Sequence, residues 1–97
     1  MTKNIKITYL KKAKKFLDKN NNIVNEDIID DLVIKTIKKK IYNIDINVDI
    51  KELKGLLKNK IRIRKDKTRV IIEIIDNEVI IETIVEDIDF RGNIYKS

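Results

Sequence analysis

The sequence contains no cysteine, histidine, proline or tryptophan, and only two of its 97 residues are glycine. Without cysteine or histidine the chain has no disulfide, no thiolate or imidazole metal ligand, no cysteine nucleophile and no histidine general base. Any acid–base chemistry must therefore use carboxylates, lysine, tyrosine or water.

Long apolar runs are also absent, because no more than three apolar residues follow one another and the N-terminal residues lack the apolar segment of a signal peptide. A membrane-spanning helix needs about 20 such residues. We therefore expect no membrane partner and a cytoplasmic location.

The chain has 39% charged and 42% hydrophobic residues, which is a globular composition. Its length predicts a single domain over residues 1–97.

Positive charge is in excess, with a formal net charge of +6 and a pI near 9.5. This excess favours an anionic partner. Isoleucine, lysine and asparagine dominate the chain, as the codons of an AT-rich genome impose, so many lysines carry little information about function. The arginines are not explained in this way, and all of them follow residue 60: Arg62, Arg64, Arg69 and Arg91.

The first half of the chain predicts a strand and a helical hairpin. Polar and apolar residues alternate over 4–8, and Thr8 is the expected cap of a first helix. A second helix is expected from Asn25 to Tyr42, with Asn25 as its N-cap and with acids and lysines at the ends that suit the helix dipole. The predicted buried positions are Leu10, Ala13, Phe16 and Leu17 in the first helix and Ile29, Leu32, Val33, Thr36, Ile37 and Ile41 in the second.

The second half predicts a sheet. Residues 43–49 show no clear periodicity, and 50–55 end in a glycine that is typical of a turn. Strands are expected at 60–65, 68–75 and 78–86, joined by short connections that favour an antiparallel meander. The predicted fold is α+β with the order β-α-α-β-β-β, in which the N-terminal helical hairpin packs on one face of an antiparallel sheet.

Charge divides the predicted sheet. Residues 58–69 include seven basic residues and one acid, whereas residues 73–89 include seven acids and no base. Two interpretations are open. Strands of opposite charge can stabilise the exposed face through cross-strand ion pairs. Alternatively, the cations at 60, 62 and 64, which share one face of a strand, can form a binding strip for phosphate.

Several segments carry a resemblance when they are taken in order. The chain opens with "IKITYLKKAKKFLDK" and continues, from residue 50, with "IKELKG", "KIRIRKDKTRVIIEI" and "DFRGNIYK". This series resembles the RelE/ParE superfamily of bacterial toxins. In that family a strand and helix come first, a leucine-lysine-glycine turn precedes an R-I-R strand and a Y-R-V-I-Y strand, and the C-terminus is basic with a tyrosine.

For the RelE branch, the resemblance implies a toxin that cleaves messenger RNA on the ribosome. The 2′-hydroxyl attacks the adjacent phosphate and leaves a 2′,3′-cyclic phosphate and a 5′-hydroxyl. Cations stabilise the charge on phosphate, so neither a metal nor a cofactor is implied. The implied partners are a RelB-like antitoxin, messenger RNA and the ribosome. A ParE-like inhibitor of DNA gyrase and an inactive RelE homologue remain alternatives.

The resemblance also implies site residues. Lys60 and Arg62 match the basic pair of a family strand, Arg69 matches an arginine that clamps phosphate, and Arg91 and Tyr95 match the C-terminal segment. These five are the expected catalytic residues. The expected RNA-binding residues are Arg64, Lys58 and Lys54.

The resemblance leaves two candidates for the base, because Phe90 stands where many RNA-cleaving members carry histidine. Arginine keeps its proton at physiological pH. The base is then either Lys60, with a pKa lowered by neighbouring cations, or Tyr95.

Overall fold

The computed structural model describes residues 4–55, 59–77 and 80–90. These residues form two helices and five strands, which are β1 (Asn4–Tyr9), α1 (Lys11–Asn20), α2 (Glu26–Lys40), β2 (Asp49–Glu52), β3 (Lys60–Lys65), β4 (Thr68–Asp76) and β5 (Ile80–Phe90). The strands form one sheet in the order β1-β5-β4-β3-β2. The α+β class, the two helices and the antiparallel meander of β3, β4 and β5 are confirmed.

The predicted sheet is wrong in two respects. The observed sheet is mixed and not fully antiparallel, because β1 pairs in parallel with β5. This pairing joins distant parts of the chain, so local periodicity does not report it. The structure also contains β2, which pairs antiparallel with β3 at the edge of the sheet. That strand has only four residues, too few for a clear alternation.

The start of α1 differs from the prediction of a Thr8 cap. Thr8 lies in β1, and Leu10 occupies the N-cap position without a side-chain cap. The chain stays attached to the sheet at this point, since the Leu10 amide donates to the Val85 carbonyl at 2.9 Å. Leu10 is exposed and not buried, Phe16 is only partly buried, and Ala13 and Leu17 are buried as predicted.

The second helix agrees with its prediction. The Asn25 side chain accepts a hydrogen bond from the Ile28 amide at 3.1 Å, which confirms the N-cap. The predicted positions that the structure buries are Ile29, Leu32, Val33, Thr36 and Ile37, with Ile41 partly buried against them. Within the described residues, neither helix is long and apolar enough to cross a membrane.

Helices and sheet share one hydrophobic core. The buried side chains of the sheet that join this core include Ile61, Ile63, Val70, Ile72, Ile81, Val85 and Ile88. Because side chains alternate along a strand, the residues between them lie on the opposite side of the sheet. We call this opposite side the open face.

A β-bulge interrupts the pairing of β4 with β5. Ile71 is paired with Asp87 and Ile72 with Val85, which leaves Glu86 as an additional residue in β5. Val85 and Ile88 are both buried in the core. The two residues between them, Glu86 and Asp87, are consequently both directed to the open face.

Candidate functional site

The open face carries four of the predicted cations. Lys60, Arg62 and Arg64 alternate along β3 with the buried Ile61 and Ile63. Arg69 of β4 is the register partner of Arg64 and therefore lies on the same face. The pattern of the sequence thus places these side chains correctly, while their catalytic and RNA-binding roles remain predictions.

A cavity of about 530 Å³ opens on this face and contains two of the predicted catalytic residues, Arg62 and Arg69. The other residues that line it are Leu10, Lys12, Leu53, Ile71, Glu86 and Asp87. Three apolar side chains form part of the wall, and the other lining residues are charged. Such a cavity suits an anionic group that two guanidinium groups can contact.

The two arginines of the cavity are largely enclosed. Arg69 is only 6% exposed. The Arg62 side chain is 14% exposed, and its Nη2 lies 3.3 Å from Asp49 Oδ1 of β2. Arg62 Nε is buried and has no hydrogen-bond partner among the described residues. A buried donor without an acceptor is costly.

Lys60 has a different environment. Its Nζ donates to Glu86 of β5 and, at 3.4 Å, to Glu73 of β4. The hydrogen bond that Lys60 donates to Glu86 raises the pKa of Lys60, the hydrogen bond to Glu73 raises it further, and desolvation only partly opposes this increase. The expectation that neighbouring cations lower the pKa of Lys60 is therefore wrong. Carboxylates of the adjacent strands are its charged partners, and they disfavour Lys60 as a base.

Glu86 and Asp87 are residues of the cavity that the sequence analysis did not single out. Glu86 contacts Lys60, and Asp87 Oδ2 lies 3.2 Å from Lys12 Nζ of α1. A signal was present in the sequence, because the apolar Val85 and Ile88 are three residues apart where a regular strand requires two. That spacing indicates a bulge, and a bulge directs consecutive side chains to one face.

The remaining predicted residues lie elsewhere. Arg64 lines a second depression with Asp49 and Lys35, and the exposed Lys54 lies near Lys60 at the other end of β3. Three predicted residues, Lys58, Arg91 and Tyr95, are outside the described residues. The part of the site that the structure describes therefore centres on Arg62 and Arg69.

Phe90 contributes to packing. Its ring lies 5.0 Å from that of Phe16, centroid to centroid, in an edge-to-face arrangement. This contact joins the end of β5 to α1. Phe90 is thus on the side of the helices and does not extend onto the open face.

Both interpretations of the divided charge describe part of the open face. Cross-strand ion pairs are present, because Lys60 contacts Glu73 and Glu86, and Arg62 contacts Asp49. Arg62 nevertheless also lines the cavity, together with Arg69. The sheet therefore combines ion pairing with a candidate phosphate site.

The fold is that of the RelE-like toxins of toxin–antitoxin systems. The sequence itself matches no family model and no curated protein. Among solved structures, the RelB-RelE antitoxin–toxin complex from Methanococcus jannaschii matches with a TM-score of 0.55 and 22% identity, over 91% of this chain and 94% of that chain.

Two further toxin structures match the fold. The YoeB/ParE toxin from Agrobacterium tumefaciens has a TM-score of 0.62 and 11% identity, over 89% of this chain and 98% of its own. YafQ from E. coli strain BL21(DE3) has a TM-score of 0.59 and 7% identity, over 97% of this chain and 99% of its own. The resemblance seen in the sequence is thus confirmed at the level of the fold.

Proposed function

We propose that this chain is the toxin of a type II toxin–antitoxin system and that it cleaves messenger RNA on the ribosome. The observation that supports the proposal most directly is the cavity on the open face of a RelE-like sheet, in which Arg62 and Arg69 come together. Two enclosed guanidinium groups with apolar walls around them are suited to a phosphodiester.

The proposed reaction requires stabilisation of charge more than any special nucleophile. The RNA supplies the nucleophile, its 2′-hydroxyl, which attacks the adjacent phosphorus while the bond to the 5′-oxygen breaks. Negative charge on the phosphate oxygens increases in the transition state. Donors already held in place for that charge contribute about 2–4 kcal/mol each. Arg62 and Arg69 are the candidates for this role.

A cognate antitoxin is the proposed protein partner. The matching structures include complexes of RelB with RelE from Methanococcus jannaschii and of YoeB with YefM from Staphylococcus aureus. By analogy, we expect an antitoxin segment to contact the basic residues of the open face and to cover the cavity.

The first prediction tests the cavity arginines. Arg69→Ala and Arg62→Ala should each abolish growth inhibition in cells that express the protein without its antitoxin, because each loses about 2–4 kcal/mol of transition-state stabilisation. RNA from cells with the wild-type protein should show new 5′-hydroxyl ends within translated frames, and these ends should disappear with either variant.

Lys67→Ala is the matched control, because Lys67 is an exposed cation in the turn between β3 and β4 and lies outside the cavity. It should keep both the toxicity and the RNA ends. Equal toxicity of the wild type and the Arg62/Arg69 double variant, at equal expression, would contradict the proposed site.

A toxin that does not cleave RNA is the second candidate. The observation that favours it is the pair of acids, Glu86 and Asp87, in the same cavity as the arginines, which weakens its attraction for RNA. In that case the wild type should produce no new 5′-hydroxyl ends. A ParE-like toxin should instead inhibit supercoiling by DNA gyrase, and an inactive homologue should do neither.

A further inference from the structure

The bulge in β5 gives the cavity a carboxylate that a regular strand would direct elsewhere. In a regular strand, two consecutive side chains point to opposite faces. Here Glu86 and Asp87 are both on the open face, and both line the cavity that contains Arg62 and Arg69. Bulges are frequent beside active sites, where they redirect a side chain. The alternation of Ile81, Thr83 and Val85 places Glu86 on the open face, and the bulge adds Asp87 beside it, so the cavity holds two carboxylates next to two guanidinium groups.

Glu86 lies between the cavity and Lys60. Its side chain is 21% exposed, as is that of Lys60, and the ammonium group contacts Oε2. Among the described residues no ion pair reaches Oε1. Lys60 therefore holds one carboxylate oxygen of a residue that lines the cavity, and the other oxygen is the candidate acceptor of a proton.

We propose that Glu86 is the general base of the RNA cleavage, an inference that rests on the function proposed above. Arg62 and Arg69 hold the phosphate, Glu86 accepts the proton of the 2′-hydroxyl, and Lys60 is a positioning residue that orients the Glu86 carboxylate. The sequence has no histidine for this task. A positioned carboxylate is an effective alternative.

The cleavage reaction needs no co-reactant other than water. The 2′-oxygen forms a bond to phosphorus as its proton moves to Glu86, and the bond between phosphorus and the 5′-oxygen breaks. The departing 5′-oxygen takes a proton from water. Glu86 then returns its proton to the solvent, and the products are a 2′,3′-cyclic phosphate and a 5′-hydroxyl.

Asp87 is the less suitable carboxylate. It lies 3.2 Å from Lys12, whose side chain is 74% exposed, so its ion pair is open to solvent. Glu86 and its partner Lys60 are both more enclosed. Lys60 itself is unsuitable as the base, because two carboxylates keep it protonated.

The second prediction compares two glutamates that contact the same lysine. Glu73→Gln is the matched control for Glu86→Gln, because Glu73 also contacts Lys60 but does not line the cavity. The substrate is a ribosome-bound synthetic message that contains a cleavage site mapped in cells. Its rate constant of cleavage is measured under single-turnover conditions. Glu86→Gln should lower the rate constant about 10²- to 10⁴-fold, as expected for loss of a general base.

Glu73→Gln should change the rate constant less than about threefold, since a partly exposed ion pair contributes little. Glu86→Asp, which keeps the carboxylate, should cleave faster than Glu86→Gln. Thermal unfolding of each variant shows whether the fold is retained.

A second substrate distinguishes a base from a residue that acts on the leaving group. In this message, sulfur replaces the bridging 5′-oxygen at the cleavage site, and a thiolate departs without being protonated. The 2′-hydroxyl of this substrate must still lose its proton. Glu86→Gln should therefore be as impaired on it as on the normal message. Rescue of Glu86→Gln by sulfur would assign Glu86 to the leaving group and overturn the inference.

The remaining outcomes separate the inference from the proposed function. If the wild type cleaves and Glu86→Gln cleaves at the same rate, or if Asp87→Asn is more impaired than Glu86→Gln, the base is not Glu86 although the function stands. If the wild-type protein does not cleave the message, the proposed function and this inference both fail.

Discussion

At the scale of single residues, Tyr9 illustrates how one hydroxyl connects two elements. It donates to Asp30 Oδ1 at 2.6 Å and lies 3.3 Å from the Glu26 carbonyl oxygen, so the end of β1 is attached to α2. Burial raises the pKa of Tyr9 well above its ordinary value, and the hydrogen bond to Asp30 raises it further. The neutral phenol is therefore the form that stabilises the fold.

The third prediction follows from this contact. Tyr9→Phe should lower the free energy of unfolding by about 1–2 kcal/mol at neutral pH, because it removes a hydrogen bond to a carboxylate. In an Asp30→Ala background the same change should cost less than about 0.5 kcal/mol, since the acceptor is absent. Urea unfolding measures both values. Equal costs in the two backgrounds would show that the hydrogen bond to Asp30 contributes nothing.

The same residue gives a pH dependence. A tyrosine in the unfolded chain loses its proton near a pKa of about 10, whereas Tyr9 in the folded protein keeps it to higher pH. Above about pH 10 the unfolded state therefore binds fewer protons than the folded state. The contribution of Tyr9 to the free energy of unfolding is complete below about pH 10 and decreases as the pH rises further. The difference in stability between wild type and Tyr9→Phe should therefore shrink above about pH 10. A constant difference would contradict the raised pKa.

At the scale of elements, α2 has the clearest local determinants. The Asn25 side chain accepts from the Ile28 amide at the N-terminus, Glu26 and Asp27 occupy the first turn, and lysines 38–40 occupy the last. Each feature satisfies or complements the free groups at a helix end. The helix begins where these residues predict, and so its prediction is confirmed.

The fourth prediction concerns this cap. Asn25→Ala should destabilise the protein by about 1 kcal/mol, because the helix loses the acceptor for one of its first amides. Asn22→Ala is the control, since Asn22 is exposed in the turn between the helices and does not cap α2. Denaturant unfolding of the two variants tests the difference. Equal destabilisation would show that the cap is not what stabilises the start of α2.

At the scale of the whole molecule, β4 is the central strand of the sheet, between β5 and β3. Its Ile72 is fully buried in the core that helices and sheet share. Because a domain with a single core unfolds cooperatively, loss of packing at this strand should destabilise both helices together with the sheet.

The fifth prediction compares two isoleucines of that strand. Ile72→Ala should cost about 2–5 kcal/mol through the lost transfer energy and the cavity left behind. Ile75→Ala should cost less than about 1 kcal/mol, because Ile75 is 42% exposed. Circular dichroism and fluorescence should report one coincident transition for each variant. Separate transitions for helix and sheet would contradict a shared core.

Much of the fold and part of the site follow from local patterns. The stripe of Ile29, Val33 and Ile37 with the Asn25 cap predicts α2, and the alternation around Ile61 and Ile63 predicts both β3 and the face that its cations occupy. These features depend on the helical period of about 3.6 residues and the strand period of two. Neighbours in the sequence are sufficient to determine them.

The tertiary structure alone decided the features that join distant segments. The parallel pairing of β1 with β5 and the contact of Lys60 with Glu86 each depend on residues far apart in the chain. The pKa of Lys60 shows the consequence. Its neighbours in the sequence include cations that would lower it, but the strands beside it supply carboxylates that raise it. Electrostatic interactions depend on distance in space, so only the folded sheet determines the charge around Lys60.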